Sequence, residues 1–371
     1  MKKHRVLIIG VGSIGERHLR CFGSTDRAEL AFSEINDELR GTIANRYGVN
    51  RAFDNLDDAV AWKPEIAVVC APADVHVPMT TRLAEAGIHV LCEKPRSVSL
   101  DGVEQMMDTV ARAGVTTAVA YVWRSYPESQ AIKAAIDSGR FGKPLELVVM
   151  TGGDFAFNRP AYRNIYFKDH KTGGGAIQDA ITHLINLGEW FAGPVERLTT
   201  DAAHQALEGV VVEDTVHVLT RQSDCLGCYS LNLYQAPAET TVKIVCEKAT
   251  IQVEFHNRRW MWQDKPDGQW HVEQNAPGER DELYIVQAHN FLDAVEGKAK
   301  VLCTLEEGLQ TLKVNLAGLA SAEAHNWQTI EHSQKSARRQ KECRAVSFAR
   351  CARNSPVASN SIPATGRSGN F

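Results

Sequence analysis

Asp179 and His183 stand four residues apart, the spacing that places two side chains on one face of an α-helix. A carboxylate beside an imidazole orients the ring and raises its basicity, as suits a general base that takes a proton from a hydroxyl. Gly173-Gly174-Gly175 come just before the pair and indicate a close backbone approach at a helix start suited to a polar ligand. Earlier in the chain, Glu93-Lys94-Pro95 follows the apolar run His89 to Cys92. A lysine just past the carboxyl end of a parallel strand faces the ligand crevice and not the core. At the start lies Gly10-Val11-Gly12-Ser13-Ile14-Gly15, after the run Arg5 to Ile9. In such a loop the first glycine makes a tight turn and the second lets a pyrophosphate approach. The third lets helix pack on strand, and the free amides about Ser13 and Ile14 point at phosphate. Each segment alone has a plain reading: an exposed helix pair, a Glu-Lys before a proline turn, a glycine turn without ligand. In this order they point to a dinucleotide site, a lysine beside it and an acid–base pair from a second domain.

Glu34 ends the second strand-like run about 20 residues past Gly15, where an acid accepts hydrogen bonds from ribose hydroxyls and repels a 2′-phosphate. This favours NAD over NADP, unless Arg40 folds back. The glycines and acid alone would also fit an S-adenosylmethionine enzyme, but that leaves the lysine and the His–Asp pair without purpose.

The elements that must hold these residues alternate strictly at first. Strands at Arg5–Ile9, Glu29–Ser33, Glu65–Cys70, His89–Cys92 and Thr116–Tyr121 are separated by helices at about 13–22, 37–47, 56–62, 77–86 and 100–113. Near-continuous apolar strands between helices predict a parallel sheet covered on both faces. After a helix at 128–138 the rhythm changes. Longer, alternating strands at 210–220, 229–234, 240–246 and 250–255 predict an antiparallel sheet with one packed face, and a helix over 174–191 carries the Asp–His pair. Helices at 281–296 and 305–326 close the pattern. The second opens on a capping box, Thr304 to Glu307. The fold class is therefore α/β. Residues 1–121 form a Rossmann dinucleotide-binding domain, with the helix near 304–327 packing back on it. Residues 122–303 form a substrate and oligomerisation α+β domain with an open, mostly antiparallel sheet. The stretch 333–371 carries Lys335, Arg338, Arg339, Lys341, Arg344, Arg350, Arg353 and Arg367 against one acid, Glu342, and reads as a disordered basic tail.

Composition narrows the function. With 371 residues, 44% hydrophobic, 23% charged and a net charge of −4, the chain has no bias toward nucleic acid or a membrane surface. Its apolar runs are far shorter than a membrane span needs. The basic start Met1 to Arg5 leads into a run too short for a signal peptide. Cys225-x-x-Cys228 has no second pair to complete a zinc site, so no metal is expected. Reduced thiols and a cytoplasmic location are expected.

Together these motifs make the chain resemble the Gfo/Idh/MocA family, that of glucose–fructose oxidoreductase and inositol dehydrogenase. The matching residues are Gly10-x-Gly12-x-x-Gly15-x-x-His18, Glu93-Lys94-Pro95, Gly-Gly-Gly-x-x-x-Asp179-x-x-x-His183, Arg124 and the turn Ser138 to Pro144, over about residues 5–327. The resemblance implies an NAD(P)-dependent dehydrogenase acting on a secondary hydroxyl of a sugar, sugar acid or cyclitol. His183 would be general base, Asp179 would position it, and Lys94 would hold the reacting oxygen. It implies cofactor contacts from Ala71, Pro72, His76 and Glu93, and often a cis bond before Pro95. Ala71-Pro72 stands where relatives often carry Thr-Pro. Arg124, Tyr162 and Arg163 join Lys94, Asp179 and His183 as expected substrate contacts, and the segment 158–166 is expected to set substrate choice. The exposed face of the second sheet would make a homodimer or homotetramer. Relatives also include NAD-dependent glycoside hydrolases and non-catalytic NAD-binding regulators, which are the alternatives.

Overall fold

Val6, Leu7 and Ile8 have no solvent exposure because helices cover both faces of the strand they lie on. In the computed structural model, which describes residues 3–276, 278–279 and 281–331, that strand is β1 (His4–Ile9). It is followed by α1 (Ser13–Gly23), β2 (Ala28–Ser33), α2 (Asp37–Tyr47), β3 (Ala52–Phe53) and α3 (Leu56–Ala61). Next come β4 (Ile66–Val69), α4 (His76–Glu85), β5 (His89–Cys92), α5 (Val103–Ala113) and β6 (Thr117–Val119). All six strands are parallel, in the order β3-β2-β1-β4-β5-β6. The order reverses beside β1, so the carboxyl ends of β1 and β4 open the crevice where such sheets bind ligands.

The second half starts with α6 (Pro127–Asp137), β7 (Pro144–Asp154) and the short α7 (Phe155–Asn158). A loop of 3₁₀ turns leads to a π-helical turn (Ala176–Ile181) that continues as α8 (Thr182–Ala192). Then follow β8 (Val195–Ala203), β9 (Thr215–Gln222), β10 (Cys225–Asn232), β11 (Tyr234–Cys246), β12 (Thr250–Glu254), β13 (Arg259–Gln263) and β14 (His271–Gln274). After α9 (Glu282–Val295) and α10 (Leu305–Ala324), β15 (Gln328–Thr329) joins the edge. These strands form one sheet, β14-β13-β12-β11-β7-β10-β9-β8-β15, antiparallel except for β7 with β10. Strict alternation along β9 sends Val216 and Val218 inward under α8 and leaves Leu219 on the open face with Leu226 and Met150. Cys225 and Cys228 are three apart on β10 and so face opposite sides, as free thiols.

Two helices depart from the expected boundaries. α9 does not belong to the second domain's core. Its Ala288, Phe291 and Leu292 are buried with Val6, Ile8, Leu19 and Phe22 of the first sheet. Asp281 at its start pairs with Arg20 of α1. α10 serves both halves. Leu312 joins Val77, Val103 and Met106 of α4 and α5, while Val314 lies in the core of the second sheet. Ser321 accepts a hydrogen bond from the amide of Thr200 on β8 (2.9 Å). Its capping box forms as expected, Thr304 with Glu307. Residues 333–371, read above as a basic tail, lie outside the described residues. Among the described residues no helix is long and apolar enough to cross a membrane.

Candidate active site

The glycine loop joins β1 to α1, and its three glycines are required for three different reasons. Gly10 has φ +80°, the left-handed region that side chains rarely adopt. A Cβ on Gly15 would overlap the carbonyl oxygen of Gly10, so helix and strand meet there backbone to backbone. A Cβ on Gly12 would meet nothing within 4 Å. The protein itself has no need of a glycine there, whereas a ligand lying on the loop would. Gly12 is also the cap residue of α1, and no side chain caps that helix. The helix start at Ser13 and Ile14 thus offers its amides and dipole to an anion, so the loop fits a dinucleotide pyrophosphate. Glu34 stands at the expected place, where its carboxylate accepts from the amides of Val11 (3.0 Å) and Asn36 (3.0 Å). Arg40 does fold back, but onto the Glu34 carbonyl and the Asp37 carboxylate.

The loops after β4 and β5 are tied together by a residue expected to touch cofactor directly. His76 is 2% exposed, and its two nitrogens face the carbonyl oxygens of Ala71 (2.8 Å) and Pro95 (2.9 Å). Two acceptors require two N–H donors, which only the imidazolium has. Burial works against that charge, but the neighbouring Cys92 and the two carbonyls outweigh it and raise the pKa to about 9. Its role is therefore to clamp the Ala71-Pro72 and Lys94-Pro95 loops. Lys94–Pro95 is cis. Glu93 is likewise turned inward, with one oxygen 2.6 Å from His18 Nε2 and the other accepting from the Lys94 amide (3.1 Å).

Lys94 reaches across to the second half of the molecule. Its Nζ donates to Asp179 Oδ1 (2.7 Å) and to the Asp179 carbonyl (2.8 Å). The Tyr166 hydroxyl donates to the same Oδ1 (2.8 Å), and Arg159 donates to that hydroxyl (3.3 Å). Burial pulls Asp179 upward, but Lys94, Arg159 and these hydrogen bonds prevail and keep it ionised below its ordinary range. Asp179 therefore positions Lys94. No hydrogen bond joins it to His183, because the pair lies where the helix begins as a wide π turn, a device frequent at functional sites, and the carboxylate is turned to Lys94. His183 lies beside the edge of Tyr121, ring centres 5.9 Å apart, and next to Trp123 at 6.5 Å. Its Nδ1 is buried without a partner. Burial and the Lys94 charge push its pKa well below the ordinary 6.5, so the ring is neutral at physiological pH.

The glycines before this helix approach the protein's own chain. Gly173 lies against Pro95 and Ala73, Gly174 against the Phe167 carbonyl, and Gly175 against the Glu213 carboxylate. Glu213 also takes the helix-start amide of Ile177 (2.8 Å) and sits 2.5 Å from His170 Nε2. The polar ligand expected at this helix start is thus an internal glutamate.

Three expected substrate contacts are elsewhere. Arg124 is 1% exposed and holds α8 to α10 through Asn186 (2.8 Å), the Leu302 carbonyl (2.8 Å) and Glu307 (2.8 Å). The ring of Tyr162 is core, and its hydroxyl donates to the Glu208 carbonyl (2.7 Å). Arg163 binds the same carbonyl (2.8 Å) and pairs with the Glu208 carboxylate (3.5 Å). From the same loop it is Tyr166 and Arg159 that enter the site. The chain folds there in three-residue 3₁₀ turns, which leave no periodicity to say which tyrosine faces inward.

A comparison with known proteins bears on this geometry. The oxidoreductase family model with an NAD-binding Rossmann fold matches residues 4–121, and the model of the Gfo/Idh/MocA C-terminal domain matches residues 129–252. The chain belongs to the Gfo/Idh/MocA family. It is thus an oxidoreductase with an NAD-binding domain, an NAD-dependent dehydrogenase. An inositol 2-dehydrogenase from Rhizobium meliloti is 24% identical over 327 residues, 85% of this chain and 95% of that protein. An uncharacterized oxidoreductase from Bacillus subtilis is 26% identical over 347 residues, covering 88% and 97%. Among solved structures, levoglucosan dehydrogenase in complex with NADH and levoglucosan superimposes with a TM-score of 0.81 at 19% identity, covering 89% of this chain and 100% of that one. At that identity the likeness is one of fold.

Proposed function

We propose that this Gfo/Idh/MocA protein oxidises a secondary hydroxyl of a sugar, sugar acid or cyclitol with NAD, or runs the reverse reduction, with His183 as general base and Lys94 on the reacting oxygen. One observation carries the reading. Lys94, just past the carboxyl end of β5, is held at 2.7 Å by Asp179 from the second half of the molecule, and a neutral His183 follows that aspartate on the same helix. Bound NAD supplies the acceptor for the hydride. With Nδ1 buried, Nε2 is the His183 nitrogen left to take the hydroxyl proton. The Lys94 ammonium stabilises the negative charge that grows on the oxygen as that proton leaves. Tyr166 and Asp179 fix the lysine so that little reorganisation is needed during the reaction. Gly12, the uncapped start of α1 and Glu34 hold pyrophosphate and ribose, and the acid favours NAD over NADP. The relatives named as inositol, levoglucosan and D-glucoside dehydrogenases support this substrate range.

The test is NADH formation across a panel of sugars, sugar acids and inositols. His183→Ala is expected to lower kcat by about 10²–10⁴-fold with NADH affinity retained. Turnover that survives this change, or aryl-glycoside cleavage without net NADH, would reject the reading. We also place subunit contact on the open sheet face around Met150, Leu219 and Leu226, which are 63%, 49% and 47% exposed. Leu226→Lys is expected to lower the mass seen by light scattering, and an unchanged mass would move the contact elsewhere.

A further inference from the structure

Arg159, near the Lys94–Asp179 pair, has more donors than its hydrogen bond to Tyr166 uses. The Lys94 ammonium is answered by Asp179, Arg163 by Glu208, and His183 is neutral. Arg159 is exposed, and among the described residues no carboxylate lies within ion-pair distance of it. It stands at the end of α7, with its guanidinium 5.9 Å from the centre of the Phe155 ring. One of its five N–H donors reaches the Tyr166 hydroxyl at 3.3 Å. Through Tyr166 (2.8 Å) and Asp179 (2.7 Å) it is three hydrogen bonds from Lys94. Arginine's planar fork is the side chain best matched to a carboxylate.

We infer that the substrate is a sugar acid whose carboxylate docks on Arg159 while its carbinol oxygen meets Lys94. The inference rests on the site reading above and narrows it to an anionic class. One guanidinium with donors to spare suits a monoanion. A phosphate dianion would call for a second donor such as a helix start, and the nearest one, at Ala176, is already filled by Glu213. Arg163, an expected substrate contact, is already held by Glu208.

The experiment uses the full chain loaded with NADH. Calorimetry measures binding of hexuronates and aldonates beside their neutral parent sugars, inositol and a hexose 6-phosphate, in wild type, Arg159→Gln and Arg163→Gln. A sugar acid is expected to bind about 30-fold or more above its neutral parent, the range of a charge-assisted pair. Arg159→Gln should erase that preference and leave NADH affinity unchanged, whereas Arg163→Gln should preserve it. The proposal is overturned if no acid in the panel binds, if neutral sugars bind equally well, if the phosphate binds best, or if the preference survives Arg159→Gln. The two readings fail separately. Arg159-dependent binding of an acid without NADH formation from NAD would sink the dehydrogenase reading and keep this one. Oxidation of neutral polyols that depends on Lys94 and His183, with acids inert, would do the reverse.

Discussion

Two glycine runs bound this site, and they are glycine-rich for opposite reasons. In the run Gly10 to Gly15 the middle glycine faces open space, so its lack of a side chain serves something that is not protein. In the run Gly173 to Gly175 every position is taken up by the chain itself, by Pro95, Phe167 and Glu213. The first run is a ligand surface, and the second locks the helix of Asp179 and His183 against the Lys94-Pro95 loop. Equal sequence signals thus conceal a binding role and a packing role, and only the neighbours of the missing Cβ tell them apart.

The contrast can be broken most forcefully at Gly174. An alanine there must displace the Phe167 carbonyl, and Gly174→Ala is expected to destabilise the fold by about 3 kcal/mol or more in chemical denaturation. A loss below about 0.5 kcal/mol would mean that the second run is not a lock. Gly12→Ala should do the opposite: stability within about 0.5 kcal/mol of wild type, but NADH affinity down roughly 100-fold by fluorescence titration. Unchanged NADH affinity would remove the distinction between the runs. The smallest effect tests the seam between them, where His76 binds Ala71 and Pro95 and Gly173 lies against Pro95. The His76 pKa is raised in the folded state, so its stabilisation is complete below pH 6.5 and is lost as pH rises through about 9. Melting temperature should decline over that window, and His76→Gln should flatten the decline. His183 shifts the other way, so the acid limb of kcat/KM is expected well below pH 6.5.

The first sheet was almost wholly legible. Apolar runs such as Val6 to Ile9 and Ile66 to Val69 can only be buried parallel strands, and α2 and β5 end at the residues the pattern marks. Lys94 was legible because its place at the end of a strand carries meaning. The strands β7, β8 and β13 were not marked, and neither were the short or exposed β3, β14 and β15, where two to four residues without buried alternation give no period. The partners of Asp179 were hidden for a different reason. The i, i+4 rule assumes an α-helix, and the π turn together with a lysine from another sheet redirects the carboxylate. Arg124 misled because a buried cation with three partners looks, in sequence, the same as one waiting for substrate. Arg159 and Arg163 differ only in which loop residue has Glu208 nearby, a contact between distant parts of the chain.

The wall that α9 gives the first sheet bears on how the chain is made. Phe291 and Leu292 fill the core beside β1 and α1, yet they follow β6 only after every strand of the second sheet but β15. At a translation rate of about 5–20 residues per second, the first strand to leave the ribosome must wait on the order of fifteen to sixty seconds for that wall. The first domain to be synthesised thus stays unfinished until most of the second sheet has been made, and it depends during that interval on whatever keeps its apolar flank from other surfaces.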